Sequence, residues 1–442
     1  MTVSRACALA LLGVLNSGCR VTDESPGGSA EKRPTQVVPD SSVACAARDV
    51  SLTLPAGFCA TIVADSIGAP RHLTAAPNGD LFIQLASAPP GIGSGGGGIA
   101  ALRDLNGDGR ADSVTYFGDI GGTGIALFNG YLYADAKTRI VRHPLTAGAL
   151  RPTGDAQVIV QDLPPGGHEA RNFVIDAGGG LYVNIGSRTN SCQATDRGTE
   201  SPGVDPCPEL STRAGIWKFD ANALGQVPDS LHRFALGIRN AMGLAIHPAD
   251  GRLYATQHGR DQFVQNWPKL FDAKYSAENP AEQLMQVNQG DNFGWPYCYF
   301  DVAGKQLVLA PEYGGNGRQP GRCTTAKAPA VTFPGHWAPM SLLFYTGSQF
   351  PERYRGGAFI AFHGSWNRAP EPQAGYRVVF VPFAAGQPSI AYETFVDGFA
   401  GAIKTPDGAA HRPMGLAQGP DGAIYVTDDK GGRVWKISYT GR

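Results

Sequence analysis

Charged residues are scarce in this chain, and neither sign is in clear excess. Asp, Glu, Lys and Arg together make up 17% of the 442 residues, and the formal net charge is −1. A protein that attracts nucleic acid or an anionic membrane electrostatically needs a surplus of positive charge. The composition therefore gives no electrostatic case for nucleic acid or an anionic membrane surface as a partner.

Long hydrophobic runs are also missing, and the apolar stretch near the N-terminus is too short to cross a bilayer. Arg5, the apolar residues 8–15 and the small residues before Cys19 are typical of an export signal. They resemble a bacterial lipoprotein signal with a lipid anchor at Cys19. Asn16 stands where that pattern prefers an aliphatic residue, so ordinary cleavage is the alternative.

From this signal we predict the domain organisation and the compartment. Residues 1–19 are the signal peptide, residues 20–44 form a polar flexible linker, and residues 45–442 form the folded domain. The mature protein is expected in the periplasm or anchored to the outer membrane.

The cysteines lack the CxxC and CxxCH spacings of zinc ribbons and attached haem. Outside the signal they fall into three close pairs, which in an exported protein favour disulfides. The pairs are Cys45–Cys59, Cys192–Cys207 and Cys298–Cys323. Other connectivities stay open, because spacing alone does not decide pairing. The GxSxG, HExxH and Rossmann motifs are absent as well.

A strand–turn–strand pattern is repeated along the chain. The copies occupy residues 69–84, 124–145, 169–186, 238–259, 337–362 and 412–437. Such units bury both faces when they stack radially, so we predict an all-β protein, a six-bladed β-propeller with long inter-strand insertions at 187–236 and 260–335. Phe58–Ala64 is expected to close the ring by joining the last blade. A β-sandwich built of similar hairpins is the alternative.

Basic residues recur at one position of the repeat, just before the first strand. Aligned on the turns, this position and its neighbours hold His168, Arg239, Asn240, His336, His411 and Arg412. In a propeller these loops meet at one mouth of the channel. Arginines there suit a planar anionic ligand, and a histidine near arginine stays neutral and can accept a hydroxyl proton. Alternatively, each residue merely holds its own loop.

Two further motifs carry polar residues at informative spacings. RDLNGDGRAD (103–112) has the spacing of a calcium loop, with Asp104, Asn106, Asp108 and Asp112 as ligands; a solvated acidic turn is the alternative. HGSWNR (363–368) follows an apolar strand. It offers Arg368 as an additional contact to an anion and Trp366 as a stacking surface.

Together these segments resemble the soluble pyrroloquinoline quinone (PQQ)-dependent sugar dehydrogenases, in particular their sorbosone dehydrogenase-like branch. The resemblance spans roughly residues 50–440. It rests on His168 with FVIDAGGGLYVNIG, IRN (238–240) with GLAIHPADGRLYATQHG, NFGWP (292–296), HGSWNR and RPMGLAQGPDGAIYV. It implies a six-bladed propeller with the quinone over the channel.

The resemblance also implies roles for individual residues. His168 is similar to the family's general base, and Arg239 is expected to stabilise the developing oxyanion. The expected cofactor contacts are Arg239, Asn240, His258, His336, Arg368 and Arg412. The backbone carbonyls of Gly259 and Arg260 are expected to hold a Ca²⁺ ion. Glucose-oxidising members have a lysine at the end of a blade-five strand; this chain lacks it, and Arg368 is the proposed substitute.

The resulting hypothesis is a PQQ-dependent oxidoreductase that oxidises the anomeric carbon of an aldose or a hydrated sugar aldehyde of the sorbosone or glucose type. Hydride would pass to the quinone, and a separate electron acceptor would reoxidise it. The alternative is a non-catalytic propeller that binds carbohydrate or a protein partner. A metal-dependent lactonase-type propeller fits less well, because it needs Glu, Asn and Asp at positions that hold Arg and His here.

Overall fold

The structure is a computed structural model that describes residue 49, residues 51–92 and residues 97–441. The predicted signal peptide, the lipid-anchor site Cys19, the linker and Cys45 of the first predicted disulfide lie outside the described residues. Within the described part, no helix is long and apolar enough to cross a membrane.

The described chain is almost entirely made of short β-strands. From the N-terminus they are β1 (Phe58–Ala64), β2 (Pro70–Ala75), β3 (Leu81–Leu85), β4 (Gly98–Arg103), β5 (Ser113–Phe117), β6 (Ile125–Phe128), β7 (Tyr131–Asp135), β8 (Ile140–Pro144), β9 (Gln157–Val160), β10 (Phe173–Ile175), β11 (Gly180–Ile185), β12 (Gly215–Asp220), β13 (Arg233–Leu236) and β14 (Leu244–Ile246). They continue with β15 (Leu253–Gln257), β16 (Glu282–Val287), β17 (Cys298–Asp301), β18 (Gln306–Leu309), β19 (Val331–Phe333), β20 (Pro339–Phe344), β21 (Ala358–Phe362), β22 (Arg377–Val381), β23 (Phe383–Ala384), β24 (Gln387–Pro388), β25 (Glu393–Val396), β26 (Pro413–Gln418), β27 (Ile424–Asp428) and β28 (Arg433–Tyr439).

These strands build six antiparallel four-stranded sheets, the blades. Blades one to three are β2–β5, β6–β9 and β10–β13 in sequence order. Blade four is β14-β15-β16-β19, blade five is β20-β21-β22-β25, and blade six is β26-β27-β28-β1. The innermost strands contact one another in the order β2, β6, β10, β14, β20, β26 and back to β2. This closed ring confirms the predicted six-bladed propeller.

The ring is closed by the N-terminal strand, as predicted. β1 runs antiparallel to β28, with Phe58 opposite Tyr439. The ring of Phe58 packs edge-on against Phe350 and Phe395 of blade five, with ring centroids 4.8 and 5.0 Å apart. Apolar faces of neighbouring blades thus cover each other, and the closing strand joins the two ends of the chain through core contacts.

The long stretches predicted as insertions proved to contain blade strands. Stretch 187–236 holds β12 and β13, and stretch 260–335 holds β16 and β19. The true insertions are therefore the shorter segments 186–214, 258–281 and 288–330. They carry the hairpin β17–β18 and the helices α1 (Phe263–Asn266) and α2 (Ala273–Glu278). The described residues also form four 3-10 helices: Pro208–Ser211, Pro311–Tyr313, Gly321–Thr325 and Glu352–Tyr354.

Disulfides stabilise two of these insertions. Cys192 pairs with Cys207, and Cys298 pairs with Cys323, which confirms two of the three predicted pairs. A loop that has little core of its own gains most from such cross-links, because they restrict the unfolded chain. The insertions of blades three and four are therefore each cross-linked by one disulfide.

Candidate active site

The loops that lead into the innermost strands carry the residues predicted from the repeat. His168 and Arg239 each lie five positions before an innermost strand, β10 and β14. His336 precedes β20 by three positions, and Arg412 directly precedes β26. Because all six innermost strands begin on the same side of the ring, these loops surround one mouth of the channel.

His168 has one ring nitrogen fixed and the other free. Its Nδ1 lies 2.8 Å from the carbonyl oxygen of Ser187 and 3.0 Å from the Ser187 hydroxyl. A carbonyl only accepts, so Nδ1 carries the proton and Nε2 is left with its lone pair. Nε2 has no hydrogen-bond partner among the described residues. Burial, followed by the positive charge of Arg239, lowers the pKa of His168 to about 3. At neutral pH this imidazole is therefore a neutral proton acceptor.

Gly186 leaves the space that this histidine occupies. A Cβ atom at Gly186 would lie 2.6 Å from the His168 carbonyl oxygen and 2.7 Å from the His168 Cβ. It would also lie 3.2 Å from Oδ1 of Asn240. Any side chain at this position must push the His168 loop away, so the glycine is needed for the close approach of His168 and Asn240 to this strand end.

Arg239 is only 4% exposed and is held by several acceptors. Nε donates to the carbonyl of Asn190, Nη1 to the carbonyl of Gly259, and Nη2 to both Oδ1 of Asn190 and Oδ2 of Asp261. Burial lowers the pKa of Arg239, and the charge of Asp261 opposes that shift. The guanidinium is thus a buried cation with a fixed orientation.

Asp261 is the carboxylate that sequence reasoning did not place. Its Oδ2 pairs with Arg239 and Arg197, both at 3.0 Å, and its Oδ1 accepts a 2.8 Å hydrogen bond from Asn367. Burial opposes ionisation, but the positive charge of Arg239 and its neighbours holds the pKa of Asp261 well below its usual range. This carboxylate therefore links blade three, blade four and blade five at the mouth.

Asn240 and Arg412 keep donors that the protein does not use. Oδ1 of Asn240 accepts from Asn184 at 3.1 Å, whereas its Nδ2 has no partner in the described part of the chain. Arg412 donates from Nε and Nη2 to the carbonyls of His363 and Gly364, and its Nη1 is unpartnered within the same residues. Both side chains can donate to a ligand in the mouth.

Two further predicted histidines, His258 and His336, are held by backbone carbonyls, and Nδ1 of His336 also accepts from Asn367. Nε2 of His258 donates to the carbonyl of Pro339 at 2.9 Å, and Nε2 of His336 donates to the carbonyl of Ser276 at 2.8 Å. Burial lowers the pKa of His258 to about 4 and also lowers the pKa of His336. Both rings are neutral at pH 7 and face Asp261 or Arg239 rather than bulk water.

Arg368 has its donors occupied inside the protein. It is 7% exposed and donates to the carbonyls of Ala277, Gly335 and Pro372 and to the Glu278 carboxylate. These four bonds use four of the five N–H groups of a guanidinium. The contacts tie the blade-four insertion to the blade-five loops.

A second carboxylate cluster lies at the mouth and has no signal in the repeat alignment. Asp429 binds Nη1 of Arg71 and Nε2 of His363, each at 2.7 Å. His411, which the repeat did single out, instead lies 2.6 Å from the fully buried Asp428. These pairs join blades one, five and six, and a partner 358 positions away could not be read from spacing.

Several of the predicted calcium ligands accept hydrogen bonds within the protein. The Gly259 carbonyl accepts from Arg239 at 2.8 Å, while the Arg260 side chain, which is not the predicted ligand, pairs with Glu312. In the acidic loop, Asp104 accepts from the backbone N–H of Gly107 and Gly109. Across residues 51–92 and 97–441, no group of three or more His, Cys, Asp and Glu is arranged to hold a metal ion.

The donor set of the mouth fits a planar quinone that carries carboxylates. Among the described residues, the unpartnered groups at the mouth include the base Nε2 of His168 and the donors Nδ2 of Asn240 and Nη1 of Arg412. Amide and guanidinium N–H groups bind carboxylate and carbonyl oxygens. Arg239 adds a buried positive charge beside the histidine.

Known proteins are similar to this chain in sequence and in fold. A curated relative, a pyrroloquinoline quinone-dependent pyranose dehydrogenase from Coprinopsis cinerea, is 27% identical over 270 residues, which are 51% of this chain and 35% of the relative. The chain spans less than half the length of the curated relatives that it matches.

Solved structures show the same fold. The holo form of the pyranose dehydrogenase PQQ domain from Coprinopsis cinerea superposes with a TM-score of 0.69 at 20% identity, covering 88% of this chain and 97% of that domain. A calcium structure of a Trichoderma reesei enzyme of carbohydrate-active family AA12 gives 0.70 at 19% identity, with coverage of 88% and 97%. The TrAA12-like family matches residues 52–440, and this chain therefore belongs to the TrAA12-like family.

Proposed function

We propose that the chain is a PQQ-dependent dehydrogenase that oxidises the anomeric carbon of an aldose or a hydrated sugar aldehyde. The observation that carries the proposal is a neutral His168 with a free Nε2 beside the buried cation Arg239. Family membership supports it, because a relative of the family is a PQQ-dependent pyranose dehydrogenase.

In this proposal, Asn240 and Arg412 hold the quinone, and their unpartnered N–H groups support that role. His258 and His336 would line the same side of the site. Arg368 is left with one free N–H, so we propose it as a support of the site rather than as the main substitute for the missing lysine. When bound, the quinone supplies an acceptor for a hydride.

The chemistry of the protein groups follows from their protonation. The anomeric hydroxyl gives its proton to Nε2 of His168, while the C–H bond breaks and its electron pair leaves with the hydrogen as hydride, so that a carbon–oxygen double bond forms. The positive charge of Arg239 stabilises negative charge that develops beside it. Asp261 keeps that guanidinium oriented. His168 then returns its proton to water.

Calcium is proposed at the carbonyls of Gly259 and Arg260, with a second ion at the loop of Asp104, Asn106, Asp108 and Asp112. Support comes from the spacing of the acidic loop and from the calcium structure of the Trichoderma reesei enzyme. Binding at Gly259 must compete with the bond from Arg239. Chelation is expected to lower the melting temperature, and an unchanged melting curve would count against both ions.

We also propose that the protein is exported and transfers its electrons to a separate acceptor. The two disulfides support an oxidising compartment. The sorbosone-type substrate and the lipid anchor at Cys19 remain part of this proposal.

The test is reconstitution of the purified protein with PQQ and Ca²⁺, followed by dye reduction with a panel of aldoses and by titration of quinone affinity. Wild-type protein should reduce the dye, and His168→Ala should lower kcat by several orders of magnitude without loss of quinone affinity. His232→Ala, a change in blade three away from the mouth, serves as the control. A protein that neither binds the quinone nor reduces dye would instead be a non-catalytic propeller.

A further inference from the structure

Trp366 stands out among the exposed side chains of the protein. It is 52% exposed and is the only aromatic residue among the exposed large hydrophobic residues of the described chain. It lies in the loop between β21 and β22. Its indole N–H makes no hydrogen bond to any described residue. Such a ring presents a broad apolar surface with one polar edge to the solvent.

The loop on both sides of Trp366 is rigid. Ser365 is fully buried, its hydroxyl donates to Gln373 at 2.6 Å, and Tyr376 donates to its carbonyl at 2.8 Å. On the other side, Arg368 donates to the carbonyl of Ala277 in the blade-four insertion and to that of Gly335 in the loop before β20. The exposed indole is therefore presented from a fixed backbone and is not part of a loose tip.

The same loop lies between the groups proposed to hold the quinone. Nδ2 of Asn367 donates to Asp261, the partner of Arg239, and lies 3.2 Å from Nδ1 of His336. At the other end, the carbonyls of His363 and Gly364 accept the Arg412 guanidinium. Trp366 is thus flanked on both sides by residues that touch the mouth.

We propose that Trp366 is the platform on which the pyranose ring of the substrate stacks. A sugar ring has a face of C–H groups that packs against an aromatic ring, while its hydroxyls turn to polar partners. The quinone has its own partners in Asn240 and Arg412, which leaves the exposed indole for the sugar. This inference rests on the proposed function and names the side chain that contacts the ring of the sugar.

The proposal predicts a change in KM with little change in kcat. Removal of one indole face should raise the KM for a pyranose about tenfold in Trp366→Ala. The KM for a small acyclic hydrated aldehyde should change less than twofold, because it has no ring face to stack. Trp366→Phe should restore most of the affinity, and Leu231→Ala, at an exposed apolar residue of blade three, should behave as wild type.

Two direct measurements separate sugar binding from turnover. An aldonolactone added to the quinone-free wild-type protein should change its tryptophan fluorescence. The same addition should leave the fluorescence of Trp366→Phe unchanged, because the responding indole is missing. The quinone Kd should be the same in wild type and Trp366→Ala. An unchanged pyranose KM in an active Trp366→Ala protein, or a raised quinone Kd, would overturn the platform. Wild-type protein that binds no quinone would refute the dehydrogenase, while the fluorescence measurement would still decide for or against sugar stacking.

Discussion

Arg239 and Asp261 form a buried ion pair of 3.0 Å at the mouth of the propeller. The two residues come from the loops on either side of β14–β15, and each has a second partner on another loop: Asn190 for Arg239 and Asn367 for Asp261. A charge in this position has its orientation set before any ligand arrives, which is how a preorganised site stabilises developing charge without rearranging.

Replacement of this carboxylate is the first prediction. Asp261→Asn should lower quinone affinity or kcat about 10- to 100-fold, because Arg239 loses its charged partner and its fixed direction. Titration with PQQ and steady-state kinetics measure the two effects. Asp176→Asn is the matched control. It removes the charge of a carboxylate that lies 3.9 Å from Lys218 and is not part of the mouth. Wild-type kinetics in Asp261→Asn would show that the pair has no part in the site.

The partly buried His168 predicts how stability depends on pH. Its pKa in the folded protein is about 3, below its ordinary value of 6.5, so the unfolded chain binds more protons between those values. Stability should therefore fall as the pH drops below about 6.5. Between pH 7 and pH 5, His168 alone should account for about 1–2 kcal/mol. Urea unfolding of wild type and His168→Gln at both pH values measures this, and equal pH slopes would contradict it.

Substitution of Gly186 tests the position of His168 without removing any polar group from the site. Gly186→Ala should move His168, because the new methyl group would lie 2.6 Å from its carbonyl oxygen. A displacement of about 1 Å at a reacting group lowers kcat about 100-fold. Gly154→Ala is the control, since its Cβ would lie 3.6 Å from Pro144. If Gly186→Ala keeps the wild-type kcat, the position of His168 is not what limits the reaction.

Arg368 is expected to matter for stability more than for the quinone. Arg368→Ala leaves the buried carbonyls of Ala277 and Gly335 without this donor and should destabilise the fold by about 2–3 kcal/mol. Its quinone Kd, measured at a temperature where the variant is folded, should stay within a few-fold of wild type. Arg353→Ala, at an exposed ion pair with Glu393, should cost less than 1 kcal/mol. A large loss of quinone affinity without destabilisation would restore Arg368 as a direct contact.

The amino-acid sequence by itself determined the propeller, its closing strand and the loops that carry His168, Arg239 and Arg412. The strand–turn–strand unit is repeated along the chain, and the apolar residues within each unit show that its faces must be covered by neighbouring units. The same reasoning found two disulfides, because their cysteines are near neighbours in the chain.

Tertiary structure alone decided the partners of these residues. Asp429 meets Arg71 only because the ring closes and brings blade six beside blade one. Asp261 meets Asn367, and Arg368 reaches Ala277, only because the insertions fold back over blades four and five. Such contacts depend on the path of non-repeating segments, which the repeat pattern does not predict. They also depend on burial of charge, which is tolerated only where enough hydrogen-bond donors and acceptors surround the charged group.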